Sequence, residues 1–324
     1  MTRASDPAAG LPSAWLPSQW PLLAGIGLMK LSARLPQRLR LVLGARLGEL
    51  AWLALTKRRR VTRTNLAACF PDWPEKRRRA LERDHFREVG RGALEMALGF
   101  WGTPQKLRRL VRFEGIEHLE KARAAGGTLI LVAHVTMIEM IGPLLNLVSE
   151  PRPAGVARRQ RQPRLNQAVD AARARFLGLA LEKKDMRGLL RWVRSGGAAL
   201  YAPDQDFSFG SVFVPFFGVP AATTTATSRL LGRLNCTLVP GWISRAEDGC
   251  YDFEFFPPLA GVDGEDAERD TAAVNAWIEA QVRRRPAQYL WMHRRFRTRP
   301  PGEPPFYPRN ARRRKHQADP EAVS

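Results

Sequence analysis

Cysteine is scarce in this chain of 324 residues, in which Cys69, Cys236 and Cys250 stand far apart. No two of them have the CxxC spacing of a zinc or redox motif, and an odd, scattered set does not build a disulfide framework. We therefore expect no metal site, and reduced thiols in a protein that faces the cytosol.

Acidic residues are also few, because 31 Asp and Glu stand against 52 Lys and Arg and leave a net charge of +21. Such an excess is not needed for folding, so it indicates an anionic partner: a nucleic acid, an anionic membrane surface, or an acidic or phosphorylated substrate. The sequence has no RRM, zinc-finger or helix-turn-helix pattern, and its basic residues are spread along the chain. Nucleic-acid binding is therefore the disfavoured alternative.

The N-terminal part lacks both a secretory signal pattern and a long uninterrupted apolar run. The charge-free stretch from Pro7 to Met29 contains three internal prolines, and its cleaner part, Trp20 to Met29, is short. A membrane-spanning helix needs about 20 mostly apolar residues. A Leu-rich helix punctuated by arginines then runs into the basic residues 57–60. We predict that residues 1–60 form a membrane-associated helical segment, with a soluble helical hairpin as the alternative.

Apolar runs alternate with amphipathic segments over most of the remaining chain. Strands are predicted at 128–134, 154–158, 179–184, 198–206, 236–244 and 250–258, and helices at 135–145, 164–178, 186–197, 221–235 and 266–285. This alternation predicts an α/β fold with a central, mostly parallel sheet covered by helices. The α/β domain is assigned residues 61–307, and we expect the basic tail, 308–324, to be disordered.

Two polar residues, His134 and Glu139, follow the first of these strands. His134 ends an apolar run, and open α/β sheets place their sites at the carboxyl ends of strands. Residues five apart on one helix point about 140° apart and do not touch. If His134 instead precedes the helix, Glu139 can hold one imidazole nitrogen and leave the other as a base. The pair is either such a dyad or a satisfied histidine beside a surface acid, and its spacing does not match HExxH zinc binding.

A second strand end, in 198–206, carries acids and is followed by a loop rich in phenylalanine. Its acids have no Gly-rich loop or further acidic cluster beside them, so they do not predict a metal site. The aromatic residues belong either to the core or to an apolar groove for an acyl chain, and the groove candidates are Phe207, Phe213, Phe216 and Phe217. Guanidinium groups suit phosphate and carboxylate, and the candidates for binding an anionic substrate are Arg158, Arg173, Arg175, Arg294 and Arg295.

Four motifs in order resemble one known family. They are "NLAACFP", the H-x4-E pair, "YAPDQD" with "SVFVPFFGV" and "AATTT", and "QYLWMHRRFRTRP". Together they are similar to the late acyltransferases of lipid A biosynthesis, the lauroyl/myristoyl branch of the lysophospholipid-acyltransferase-like superfamily. The similarity extends from about residue 16 to residue 307.

The resemblance implies an acyltransferase at the cytoplasmic face of a bacterial inner membrane. The implied donor is an acyl-carrier-protein thioester, which is a co-substrate, with no cofactor. The implied acceptor is an anionic glycolipid, a phosphorylated glucosamine disaccharide that bears Kdo sugars.

The resemblance also implies roles for single residues. His134 and Glu139 would be catalytic, with Glu139 orienting His134 as the base that deprotonates a hydroxyl of a 3-hydroxyacyl chain. Arg158 and Asp204 would bind substrate. The alternative within this fold is an acyltransferase that acts on another membrane lipid, such as a phosphoglycolipid or an aminolipid.

Overall fold

The computed structural model describes residues 16–157, 162–182, 185–234 and 236–307. Arg158, predicted to bind substrate, lies outside the described residues, as do the predicted disordered tail 308–324 and the first 15 residues of the N-terminal segment.

Helices make up the first part of the chain. They are α1 (Trp20–Ser32), α2 (Gln37–Ala54), α3 (Thr56–Cys69), α4 (Glu75–Trp101) and α5 (Pro104–Arg108). Pro74 directly precedes the first residue of α4, where its fixed φ suits a helix start. The helix then runs without a break to Trp101.

Nine strands are found among the described residues. They are β1 (Val111–Glu114), β2 (Gly127–Leu131), β3 (Ala154–Ala157), β4 (Leu179–Glu182), β5 (Ala198–Tyr201), β6 (Ser211–Phe216), β7 (Val219–Thr224), β8 (Cys236–Arg245) and β9 (Tyr251–Phe255). Seven form one sheet in the order β1-β9-β8-β2-β5-β3-β4. Neighbouring strands are parallel except β8 and β9, which confirms the predicted mostly parallel sheet.

Further helices follow or connect the strands. They are α6 (Ile116–Ala125), α7 (Ile141–Leu145), α8 (Pro163–Arg173), α9 (Met186–Arg194), α10 (Ala226–Arg233) and α11 (Ala267–Arg284). Every residue of the central strand β2 is buried, so the sheet is covered on both faces and the α/β class is confirmed.

Two sequence predictions of local structure were wrong. The segment 221–235 begins as strand β7, paired antiparallel with β6, and becomes helical only at Ala226. Three successive β-branched threonines at 223–225 favour the extended start. The segment 135–145 is helical only from Ile138, because Val135 is drawn into an antiparallel bridge with Tyr289.

Helix α2 contacts α4 backbone to backbone. A Cβ at Gly48 would lie 2.1 Å from the carbonyl oxygen of Phe86, and a Cβ at Gly90 would lie 2.1 Å from that of Gly44. The opposite face of α2 exposes large apolar side chains, namely Leu39, Val42, Leu43, Leu47, Leu50 and Leu53. No helix within the described ranges is long and apolar enough to span a membrane. The predicted membrane association of residues 1–60 therefore stays a prediction.

Candidate active site

His134 and Asp204 meet because two central strands are in register. In the parallel pair of β2 and β5, Leu131 lies opposite Tyr201, and each polar residue follows three positions later. Both therefore emerge at the carboxyl edge of the sheet, where open α/β folds place their ligands. Imidazole Nδ1 lies 2.6 Å from Asp204 Oδ1, and the backbone N–H of His134 donates to Oδ2 at 2.9 Å. One carboxylate thus fixes both the ring and the main chain of the histidine.

His134 and Asp204 stabilise each other's charged forms against the effect of burial. The Asp204 side chain is 1% exposed, whereas the imidazole is 25% exposed. Burial on its own would lower the pKa of His134, but the charge of Asp204 and its hydrogen bond outweigh burial, and the pKa is raised. Burial would likewise raise the pKa of Asp204, but the charge and hydrogen bonds of His134 lower it. Asp204 is thus an ionised carboxylate at neutral pH, and it leaves Nε2 as the ring nitrogen suited to proton transfer.

The segment around Tyr289 runs antiparallel beside the loop that carries His134. The N–H of Leu290 donates to the carbonyl of His134 at 2.9 Å, and the N–H of Thr136 donates to the carbonyl of Gln288 at 2.8 Å. The phenol of Tyr289 donates to the backbone carbonyl of Asp204 at 3.4 Å. This arrangement keeps His134 outside the helix that follows it, which was the condition for the predicted dyad with Glu139.

Helix α4 closes the other side of the same loop. A Cβ at Gly92 would lie 2.0 Å from the carbonyl oxygen of Thr136, and one at Gly99 would lie 3.1 Å from that of Glu139. The approach at Gly92 leaves room only for glycine, whereas a Cβ at Gly99 would make a contact tighter than usual. The loop is therefore confined between α4 and the segment around Tyr289.

Glu139 pairs with a different residue from the one expected. Its Oε1 accepts a hydrogen bond from Arg173 Nη2 at 3.2 Å. The imidazole nitrogen Nδ1 of His134 is held instead by Asp204, which follows the neighbouring strand β5. Asp204 is accordingly a buried partner of His134, and its predicted role in substrate binding stays a prediction. The Nη1 atom of Arg173 is buried and has no hydrogen-bond partner among the described residues, so it can serve a bound anion.

The other predicted arginines are divided between structural contacts and the surface. Arg175 donates to the carbonyls of Phe100, at 2.6 Å, and Gly102, at 3.2 Å, and so closes the end of α4. Arg295 is 3% exposed and donates to the carbonyl of Ala222 at 2.9 Å. Its guanidinium ties β7 to the loop at Gln205, so its contact with substrate stays a prediction. Arg294 is exposed, with its guanidinium 5.7 Å from the Tyr307 ring centre.

The predicted acyl-groove residues are similarly divided. Phe216 and Phe217 are buried, and Phe217 packs against Trp291 with 5.8 Å between ring centres. Both belong to the core at the β6–β7 hairpin, and their assignment to an acyl groove stays a prediction. Phe207 and Phe213 are partly exposed, and Phe209 in the same loop is 88% exposed.

The chain was compared with known proteins. The family model described as "Bacterial lipid A biosynthesis acyltransferase" matches residues 9–298. The lipid A biosynthesis lauroyltransferase of Escherichia coli K12 is 33% identical over 295 residues, which are 90% of this chain and 96% of that protein. The palmitoleoyltransferase of the same organism is 30% identical, covering 90% of this chain and 95% of the relative. The myristoyltransferase is 28% identical, covering 89% and 90%.

Proposed function

The chain belongs to the bacterial lipid A biosynthesis acyltransferase family, and from this premise we propose that it acylates a Kdo-bearing lipid A precursor. The acyl chain would come from an acyl-carrier-protein thioester and pass to a hydroxyl of a 3-hydroxyacyl chain of the acceptor. The single observation that best supports this chemistry is the contact of 2.6 Å between His134 and Asp204 at the carboxyl edge of the sheet.

The reaction begins with the transfer of a proton from the acceptor hydroxyl to Nε2 of His134. Asp204 stabilises the imidazolium that forms, since its carboxylate faces the other ring nitrogen. The alkoxide attacks the thioester carbonyl, and the carbon–sulfur bond breaks as the ester bond forms. The carrier's thiolate leaves and receives the proton from the imidazolium, so the base is regenerated.

The ion pair of Arg173 and Glu139 is the proposed anion-binding position. The carboxylate of Glu139 holds one end of the guanidinium and leaves Nη1 for an oxyanion or a phosphate of the acceptor. The role proposed for Glu139 is therefore to orient Arg173. This assignment fits an anionic glycolipid acceptor.

The exposed apolar faces of α1 and α2 support work at a membrane surface. Trp20, Leu28 and Leu31 on α1 add to the exposed leucines of α2, and the basic residues of α3 follow directly in the chain. Apolar side chains flanked by cations suit an interfacial helix on anionic lipid. We place the enzyme at the cytoplasmic face of the bacterial inner membrane, where a carrier-protein donor and a lipid acceptor can both reach it.

The experiment combines the purified chain in detergent, a panel of acyl-carrier-protein thioesters and a Kdo-bearing tetraacyl acceptor. We expect the acceptor to gain the mass of one acyl group, and the His134→Gln variant to give no product. Transfer to a phosphoglycolipid or an aminolipid, with none to the lipid A precursor, would establish the alternative. Absence of any acylated lipid would contradict the proposal.

A further inference from the structure

Residues 288–290, here called the clamp segment, contact both members of the catalytic pair. The N–H of Leu290 binds the carbonyl of His134 at 2.9 Å, and the carbonyl of Gln288 binds the N–H of Thr136 at 2.8 Å. Tyr289 donates its phenol proton to the carbonyl of Asp204 at 3.4 Å. The main chain is therefore held on both sides of the histidine and at the aspartate.

The clamp segment is itself held in place by the side chain of Gln288. This side chain is 8% exposed, and its amide forms two hydrogen bonds with one residue of β8. Its Nε2 donates to the carbonyl of Arg245 at 2.9 Å, and its Oε1 accepts from the N–H of Arg245 at 2.9 Å. A carboxylate has no donor and an aliphatic chain has neither group, so this pairing requires an amide.

Arg245 is a firm anchor for this amide. Its guanidinium is 3% exposed and contacts two carboxylates of α4, with Nε 2.5 Å from Glu95 Oε1 and Nη1 bonded to Glu88. Tyr251 also donates to Glu95, at 2.9 Å. Buried, fully engaged charges of this kind hold one geometry.

We propose that Gln288 and Tyr289 are positioning residues that set the contact between His134 and Asp204. The amide of Gln288 fixes the register of the clamp segment against β8, and the clamp segment fixes the histidine loop and the aspartate carbonyl relative to each other. This proposal rests on the proposed function for its activity readout, whereas its spectroscopic readout is independent of that function.

The proton affinity of His134 depends on burial and on Asp204, which faces its ring. The charged and titratable groups near the pair are His293, which interacts with both of its members, and Arg295 and Tyr289, which interact with Asp204; Asp206 interacts with His293. Burial lowers the pKa of the imidazole and Asp204 more than compensates for it. A looser contact with Asp204 therefore moves the pKa of His134 downward, which a general loss of stability would not do.

The test compares Gln288→Leu with Tyr289→Phe and with Gln281→Leu in the full chain. Gln281 is a matched control, since it is equally buried and its side chain accepts a hydrogen bond from Arg284 within α11. The imidazole pKa of His134 is measured by NMR on protein with labelled histidine, and the His134→Gln variant assigns its signal among the five histidines. The pH profile of kcat/KM gives the same quantity through activity.

Gln288→Leu is expected to lower kcat by about 10–100-fold with little change in KM, by analogy with the loss of residues that orient a reacting group. The His134 pKa and the acid limb of kcat/KM should both move to lower pH. Tyr289→Phe should shift them in the same direction by less, and Gln281→Leu should leave both unchanged.

A folded Gln288→Leu variant with unchanged kcat and unchanged His134 pKa would overturn the proposal, and so would lost activity without any pKa shift. If Gln288→Leu does not fold, Tyr289→Phe decides, because it keeps the ring and removes one hydroxyl. If the native chain acylates no lipid A precursor while the His134 pKa still falls in the variants, the proposed function is wrong and the positioning role of Gln288 and Tyr289 is supported.

Discussion

Gly92→Ala tests whether α4 holds the loop that carries His134 in place. The new Cβ would lie 2.0 Å from the carbonyl oxygen of Thr136, two residues after His134, whereas ordinary contact begins at 3.4 Å. The helix and the loop must therefore separate by about 1.4 Å. The position of a Cβ is fixed by its own backbone and its neighbour is a backbone oxygen, so no side-chain rotation can relieve the contact.

The magnitude follows from two opposing effects on stability and one on catalysis. Alanine favours a helix interior over glycine by about 0.8–1 kcal/mol, while overpacking costs about 1–3 kcal/mol. The free energy of unfolding should therefore fall by no more than about 2 kcal/mol. A shift of about 1 Å in a reacting group can cost about 100-fold in rate, so we expect kcat to fall far more than the stability.

The assay measures kcat for acyl transfer and the midpoint of thermal unfolding on the same preparation. Gly27→Ala on α1 is the matched control, because nothing lies within 4 Å of its added Cβ. This control should keep its kcat and gain slightly in stability. A Gly92→Ala enzyme with native kcat would show that the loop does not depend on α4 for its position.

Three further variants test the site and the apolar face. Asp204→Asn should lower kcat by about 10²–10⁴-fold. Because Asp204 raises the pKa of His134 and the neutral imidazole is the active form, the acid limb of the pH profile of kcat/KM should move to lower pH. An acid limb that does not move would show that Asp204 does not act on His134. Arg173→Gln should raise KM for the acceptor by at least about tenfold, the loss expected for one charge-assisted hydrogen bond, and an unchanged KM would contradict the anion site. Leu50→Asp with Leu53→Asp should reduce co-sedimentation with vesicles that contain anionic lipid while the unfolding midpoint stays within a few degrees, and undiminished sedimentation would show that α2 does not face the membrane.

The sequence predicted the fold class, and the strand end at which His134 lies, from local patterns. The apolar run that ends at His134 is a local signal, and so is the alternation of strands and helices. The partner of the base was not a local signal, because Asp204 lies 70 residues away in the chain. The register of β2 against β5 brings the two together, and a single sequence carries no direct mark of that register. The signal in the sequence would have been that His134 and Asp204 each follow the end of a strand by three positions.

Other features of the structure also depend on contacts between distant parts of the chain. Phe216 and Phe217 could belong to a groove or to the core by composition alone, and the β6–β7 hairpin places them inside. Arg295 carries a charge that usually lies at the surface, yet it is buried and donates to the backbone carbonyls of Gln205 and of Ala222 in β7. The role of the Gln288 amide depends on a contact with Arg245 across 43 residues of sequence.

Gly90 and Gly92 are two positions apart on α4, so they point about 200° apart, to opposite sides of the helix. One side touches α2 and the other touches Thr136, in both cases at backbone distance. Helix α4 alone thus separates α2 from the loop that carries His134. At Gly90 and Gly92 no side chain lies between the backbones to absorb movement. If α2 rests on the membrane, His134 stays at a constant height above the lipid surface. Under the proposed function, only acceptor hydroxyls presented at that height would be acylated, so regioselectivity would depend on the spacing of two helices as well as on the shape of a pocket.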